Sequence, residues 1–494
     1  MKCVILGAGL AGLVCALELQ RRGGQVTLIE AAPFAGGRAS SWKTSSGMPV
    51  GAGLHVVAAH YVNLLEVLAS VGAQDGISWW DKHYYLAPAA APVVWRYNRL
   101  PAPLHLLHTA RRMPVSFAQR LRLLRAGLDA ARYRQEDLAH LDELPYLDWH
   151  RKHRLGDSFL LELAELVSDA ATFLPLERVS ARAVLSWLKY MSSCAAAGKI
   201  GTWRVPLSEG LVDPLVRAIK GLGGEIRFQT ATVRLVHEQG RIDRVVVRKS
   251  SAVGPCYRAD GDASPVGPAE EIPCGFVVSA LPVQGLRRLI DPPLAKVAKL
   301  EDALKLQTVP AVSVVIAFDR AIKPMPTGTP LVSGCAIRDF VDLTAFDNGA
   351  RKNSLVQFLV RDSCQWLTHT DDEIVQSMLD GLRAVWPAAQ EARPVEAHVE
   401  RIGAAMSAAV PGTYRLRPVP ETGIPNFFLA GDWTRHNLNS SMEGAAVSGK
   451  AAAQCVLRAR GAGPVSVLTS REPLLYRLLQ RVGRPRLRRI KQPI

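Results

Sequence analysis

The chain opens on alternating textures. Residues 2–6 (KCVIL) are a short apolar run, Gly7 to Gly12 a small-residue turn, Leu13 to Arg22 a stretch of Leu, Val and Ala, and Val26 to Glu30 a second apolar run. Apolar runs this short read as strands and the longer stretch as a helix, which predicts a βαβ unit of about 30 residues. Residues 223–248 alternate apolar and polar positions with turn signals between them, so they read as antiparallel strands. Residues 274–282 read as a buried strand ended by Pro282. Between these lies a different pattern: residues 91–194 are rich in Leu, Arg and Ala at helical spacing, with a capping box at Ser116 and Gln119. Residues 291–414 mix strands (312–318, 354–360) with a helix over 371–386. The Gly/Pro/Ser/Asp-rich residues 250–271 read as a surface excursion from a hairpin.

The predicted fold class is therefore α/β. A Rossmann-like nucleotide-binding domain is discontinuous, assembled from 1–90, 195–290 and 415–460. A mixed α+β domain is inserted as 91–194 and 291–414, and 461–494 forms a basic amphipathic tail. With 494 residues and 48% hydrophobic content the chain can bury a large core, which excludes a disordered protein. The net charge of +16 admits nucleic acid, an anionic membrane surface or a general preference for Arg, and composition does not choose among them. Cys3, Cys15, Cys194, Cys256, Cys274, Cys335, Cys364 and Cys455 form no CxxC pair and no zinc spacing. They read as mostly buried small hydrophobes in a reducing compartment, with no metal site. No run reaches the ~18 apolar residues of a spanning helix, so a membrane would be met from one side.

The chemistry begins at GAGLAG. In the sequence Gly7-x-Gly9-x-x-Gly12, the first glycine permits a tight turn and the second lets the backbone, with Leu10 and Ala11, approach a pyrophosphate. The third lets the helix pack on the strand, and phosphates then sit at the helix N-terminus. The motif alone is weak; here it follows a strand, opens a helix and is completed after a second strand by Glu30, placed to accept from ribose hydroxyls. An acid there favours an unphosphorylated ribose. NAD and FAD are separated by Ala31 and the Gly36-Gly37-Arg38 turn, which would bring amides and a guanidinium to the phosphates and ribityl chain.

These residues resemble the FAD-containing amine oxidase and phytoene desaturase superfamily. VGAGLHVVAAHYVNLLEVLASVG (50–72), TFLPLERVSARAVLSWL (172–188), Pro411-Gly412, Arg417-Pro418 and IPNFFLAGDWT…SSMEGAAVSGKAAA (424–453) are similar to plant and cyanobacterial-type carotenoid desaturases. GRASSW and the segment at 204–211 are also similar to bacterial hydroxysqualene dehydroxylases, and the sequence does not separate the two branches. The resemblance implies FAD, bound non-covalently, between an FAD-binding domain and a substrate-binding, membrane-facing domain. It implies that Gly431 and Asp432 meet the ribityl or phosphate chain, and that Met442, Glu443, Gly444 and Ala445 run along the flavin edge. It adds Gly53, Leu54, His55 and Val233, the last against adenine. The helix beginning near residue 442 would then stabilise negative charge on the reduced flavin. Taken alone, SMEGAAVSGKAAA is equally a small-residue core helix. The segment TWRVPLSEGLVDPLVRAI (202–219) departs from the family's Pro-x-Gly-Gly form, which leaves its flavin contact open.

The activity so implied is carotenoid (phytoene or ζ-carotene-like) desaturation, with hydride passing from an allylic C–H to flavin N5 and a quinone or oxygen as acceptor. Hydroxysqualene dehydroxylation, flavin amine oxidation and a non-catalytic, FAD-stabilised membrane scaffold are the alternatives. No acid or base is assigned; His55, Asp169, His436 and Glu443 are the candidates. Residues 471–494 carry eight Lys or Arg against one Glu, and Leu474, Leu475, Leu478, Leu479 and Val482 recur at helical spacing. That pattern predicts an interfacial helix on anionic lipid, and residues 104–134 have a similar character. No nucleic-acid module accompanies the charge, so the expected partners are a long isoprenoid and the cytoplasmic face of a membrane, not nucleic acid.

Overall fold

The computed structural model describes residues 2–80, 82–96, 111, 113–134, 136–191, 199–256, 264–326, 328–344, 352–469 and 474–482. Cys194, residues 104–110 of the basic stretch and residues 483–494 of the tail lie outside them.

A five-stranded parallel sheet gathers segments from both ends and the middle of the chain. In spatial order its strands are Glu225–Arg227, Gln25–Ile29, Lys2–Leu6, Phe276–Ser279 and Phe427–Leu429. All four pairings are parallel. Strands covered on both faces become nearly continuous apolar runs, as in KCVIL, FVVS and FFL. Lys2–Leu6 is central, with successive connections running to opposite sides of it. This reversal opens a crevice at the carboxyl ends of the strands, the usual ligand position in an open α/β sheet. Gly7, Glu30, Ala280 and Ala430 each follow one of those ends.

Two helices lie together on one face. The first, Leu10–Gln20, begins three residues earlier than the pattern predicts, so Gly12 is inside it. The second, Met442–Arg460, crosses it through small residues: a Cβ at Gly449 would stand 2.5 Å from the Ala11 carbonyl oxygen. That close approach explains the Gly and Ala content of the late helix in terms of packing.

The other large sheet is antiparallel, in the order Ile337–Asp342, Leu355–Val360, Thr308–Phe318, Pro394–Ser407. The helix Asp371–Val385, opened by a complete Thr370/Glu373 capping box, covers it with Ile374, Met378, Leu379 and Leu382. Helices Phe117–Ala131, Ser158–Thr172 and Ala181–Met191 form a further core with Trp149 and Tyr146. At Ser116 only half a capping box forms: Ser116 Oγ accepts from Gln119 N, whereas Gln119 Oε1 has no partner among the described residues. The predicted excursion at 250–271 is corrected in part, because Pro265–Pro273 is the third strand of a sheet with Thr230–Glu238 and Arg241–Ser250. The cysteines are also corrected: Cys3, Cys15 and Cys455 are buried, but Cys256 and Cys364 are exposed. Among the described residues no helix is long and apolar enough to cross a membrane, and no His, Cys, Asp and Glu group could hold a metal.

Candidate functional site

The crevice at the strand ends gathers segments from the whole chain. The first turn is compact because a Cβ at Gly12 would fall 2.0 Å from the Gly7 oxygen, so only glycine lets helix and turn share that space. Gly9, by contrast, has nothing within 4 Å of where its Cβ would be; that space is open. The second turn lies against the first: Gly36 N donates to Ala8 O at 2.9 Å, and Gly9 and Gly36 form a parallel bridge. Glu30 fastens the first turn to the segment after its own strand, accepting from Ala8 N at 2.8 Å and Ala32 N at 2.9 Å. Burial pushes its carboxyl above the usual range, while the amides of Ala32 and Ala8 pull it back.

Arg38 joins the two ends of the chain. Its Nη2 meets Asp432 Oδ1 at 2.6 Å and its Nη1 donates to Ala405 O at 2.7 Å. Gly431, which precedes Asp432, has φ 141°, and a Cβ there would strike the Trp433 ring at 2.5 Å. Its amide is held by Ser448 Oγ at 2.9 Å, tying the strand end to the late helix. Gly53 and His55 sit beside this group, His55 Nδ1 bonding Gly53 O at 2.9 Å. Burial lowers the His55 pKa, and the nearby Arg38 charge lowers it further. Leu54 packs against the buried cluster that includes Met48, Val50 and Val315.

Residues 10–457 match the family described as flavin containing amine oxidoreductase. The chain belongs to that family. It is 25% identical over 489 residues to the probable zeta-carotene desaturase of Synechococcus elongatus, covering 93% of this chain and 99% of that protein. It is 25% identical over 472 residues to the 15-cis-phytoene desaturase of Solanum lycopersicum, covering 93% of this chain and 78% of the relative. Among solved structures, an oxidoreductase from Methanosarcina mazei superposes with TM-score 0.68 at 17% identity, covering 91% of this chain and 99% of the other. Wild-type putrescine oxidase bound to putrescine superposes with TM-score 0.67 at 15% identity, covering 93% and 99%. These structures establish the shared α/β fold, and the family establishes an FAD-dependent oxidoreductase.

Several features fit FAD. The Leu10–Gln20 helix has no side-chain cap and no acid in its first turn among the described residues, so its N-terminal amides are free to receive phosphate. The open space at Gly9 is where such a group would approach. Glu30 retains further lone pairs for ribose hydroxyls. Val233 falls in a β-bulge: Thr232 pairs with Val247 and Arg234 with Val246, leaving the Val233 backbone outside the ladder.

Other candidates have different tasks. The Glu443 carboxylate accepts from Asn63 N (3.0 Å), Asn63 Nδ2 (2.8 Å) and Leu64 N (2.8 Å). It therefore meets the first amides of the helix Val62–Ser70. Asp169 Oδ2 pairs with Arg361 at 3.1 Å and fastens the 158–172 helix to the antiparallel sheet. His436 is not a solvent-facing loop residue. Its Nε2 bonds Asp432 O at 3.0 Å, it packs on Gly444, and burial with Arg417 alongside holds its pKa well below the usual histidine range. Met442 is buried and Ala445 partly buried in the first turn of the late helix. The departure at 204–211 becomes a π-helical turn at Ser208–Val212. Ser208 and Ser41 clasp it to the strand Ser41–Lys43, with Ser41 N donating to Ser208 Oγ at 2.7 Å and Ser208 N to Ser41 Oγ at 2.8 Å.

Sequence reasoning missed Arg417 and Arg182. Arg417 is 6% exposed and donates to the carbonyls of Trp433, Leu438 and Asp432, holding the loop after the Gly-Asp pair in shape. Its Arg-Pro context was visible, but its partners lie 15 to 21 residues away in a loop without periodicity.

Proposed function

We propose that the protein is an FAD-dependent desaturase of a long isoprenoid hydrocarbon of the carotene type. The observation that carries this reading is the end-to-end likeness to carotene desaturases, which spans 99% of the Synechococcus protein. Bound FAD would supply the hydride acceptor for an allylic C–H. The chain's own residues position it. The Leu10–Gln20 helix and Arg38 would hold the phosphates, Glu30 the ribose, the Val233 backbone the adenine, and Gly53, Gly431 and Asp432 the ribityl side. The positive end of the Met442–Arg460 helix would favour negative charge on the ring. On this reading the antiparallel sheet and the helices of residues 113–191 form the substrate part, and FAD is held without a covalent bond. A quinone or oxygen would reoxidise it.

The membrane side of this reading rests on two helices. On Phe117–Ala131, Phe117 is 81% and Leu121 39% exposed, one turn apart. Leu474–Val482 lies against that helix, with Gln480 Nε2 donating to Tyr133 O at 3.4 Å. Tyr476 and Gln480 face inward, leaving Leu478 46% exposed. Apolar side chains rimmed by Arg125 and Arg477 suit an anionic lipid surface.

The decisive experiment is anaerobic mixing of the FAD-loaded enzyme with phytoene or ζ-carotene in liposomes. Bleaching of the visible flavin band with growth of a longer polyene is the expected result; an unchanged flavin with both substrates would overturn the reading. Phe117→Ser with Leu121→Ser, or removal of residues 470–494, should reduce sedimentation with anionic liposomes, and undiminished binding would refute the membrane face.

A further inference from the structure

The cofactor site leaves a second group of buried polar side chains without a task. The helix Ala181–Met191 carries Arg182 and Ser186 four residues apart, both buried where the helix meets residues 436–441, while Lys189 one turn on donates to Tyr133 O. Ser186 Oγ donates to Asn437 O, and Asn439 Nδ2 donates to Ala183 O at 3.1 Å. Arg182, 3% exposed, lies 3.2 Å above the centre of the Tyr414 ring. Its Nε and Nη2 have no hydrogen-bond partner among the described residues, while the Asp142 carboxylate and Tyr414 act on its charge. Ser407 Oγ is orphaned in the same way. Arg182 and Ser407 border one cavity of about 20 Å³, with Arg417, Asn439, Ser440 and Asp142 among its walls.

Buried polar groups without partners are rare in folded proteins, and two converging on one cavity mark a missing ligand atom. Charge says which kind. The cavity touches two guanidiniums and one carboxylate, and Asp142 is already occupied by Ser180 Oγ at 3.2 Å and Tyr414 N at 2.8 Å. One carboxylate against two guanidiniums leaves a net positive charge on the cavity wall, and a buried guanidinium with two unpaired N–H groups is costly, a cost that a negatively charged acceptor removes. Adjacent N–H groups on a guanidinium match an anion in a fork. The volume admits a group about the size of one water.

We propose that this cavity is an anion subsite that takes one small anionic atom, a halide ion or one oxygen of a carboxylate, on the Arg182 fork and the Ser407 hydroxyl. Ser407 N donates to Ser440 Oγ at 3.1 Å, next to the Ser441 cap of the late helix, so occupancy couples to the segment that carries Asp432. A pure hydrocarbon substrate has no such group, so the subsite stands beyond the desaturase reading.

The test uses the FAD-loaded full chain in sulfate buffer at constant ionic strength, titrated with chloride, bromide, acetate and farnesoic acid while thermal unfolding is followed. A saturable rise in Tm of about 1–3 °C is expected, as for any ligand that binds only the folded state. Arg182→Met should abolish the rise, and Ser407→Ala should weaken half-saturation roughly threefold to tenfold. Bromide-soaked crystals should show an anomalous peak within hydrogen-bonding distance of Arg182. A response to chloride and acetate identifies a free ion as the source; a response to farnesoic acid alone identifies the acidic end of an apolar ligand. No saturable response to any probe, a response that survives Arg182→Met, or a water only in the cavity would overturn the proposal. If Arg182→Met does not fold, Ser407→Ala and the bromide peak decide. None of these readouts involves turnover, so failure here leaves the desaturase reading intact.

Discussion

The crevice at the sheet ends and the seam behind residues 436–441 are built from different groups. In the crevice the proposed binding groups are mostly main-chain: uncapped helix amides, two glycine turns bridged to each other, and a bulge at Val233. In the seam they are long buried side chains, Arg182 and Arg417, brought together from two distant segments. A backbone site needs glycine wherever chains touch, so its requirements appear as spacing in the sequence. A side-chain site needs only that distant residues meet, and no local pattern records that.

Substitutions separate the two kinds of construction. The largest effect is expected at Gly12, where a Cβ would lie 2.0 Å from backbone that cannot yield. Gly12→Ala should cost about 3 kcal/mol in urea unfolding of the apoprotein, with loss of bound flavin. Next is Asp432→Ala, which leaves Arg38, 31% exposed, without its anionic partner. Discounted for that exposure, the change should weaken FAD about thirtyfold, or about 2 kcal/mol, by flavin titration. Gly9→Ala is the control for Gly12. Its Cβ meets no protein atom, so unfolding of the apoprotein should be unchanged while FAD affinity falls about tenfold. Equal damage to both properties would show that the crevice is not shaped for a ligand.

Two smaller effects concern residues whose chemistry differs from their sequence appearance. Glu443→Gln should lower stability by about 1 kcal/mol through the cap on Asn63 and Leu64 and leave kcat within about twofold. A collapse of kcat with unchanged stability would assign Glu443 as an acid/base group. His436 is held below the ordinary value of 6.5, so the folded chain binds fewer protons there than the unfolded chain. Its contribution to stability is present above that value and is lost as pH falls toward the folded pKa. At pH 6 the loss should be about 0.8 kcal/mol, and His436→Gln should remove it from a stability–pH profile.

Much of the cofactor half was legible. The βαβ opening, the strands near 276 and 427 and the α/β class follow from short apolar runs punctuated by glycine, since both faces of a parallel sheet are covered. The small-residue helix was ambiguous, and Gly449 against Ala11 shows why: packing and cofactor binding ask for the same composition. The partners of Glu443 and Asp169 were not legible, because an acid beside a motif carries no sign of which amide or guanidinium it will meet.

By itself the sequence determined the nucleotide turn, the acid at the end of the second strand and the basic, apolar tail, because each depends on near neighbours. Tertiary structure alone decided that Arg38 meets Asp432 across 394 residues, that Glu443 serves the 62–70 helix, and that Arg182 and Ser407 share one cavity. Those are contacts between segments with no sequence relation, and only the closure of the chain on its core fixes which charge is buried beside which.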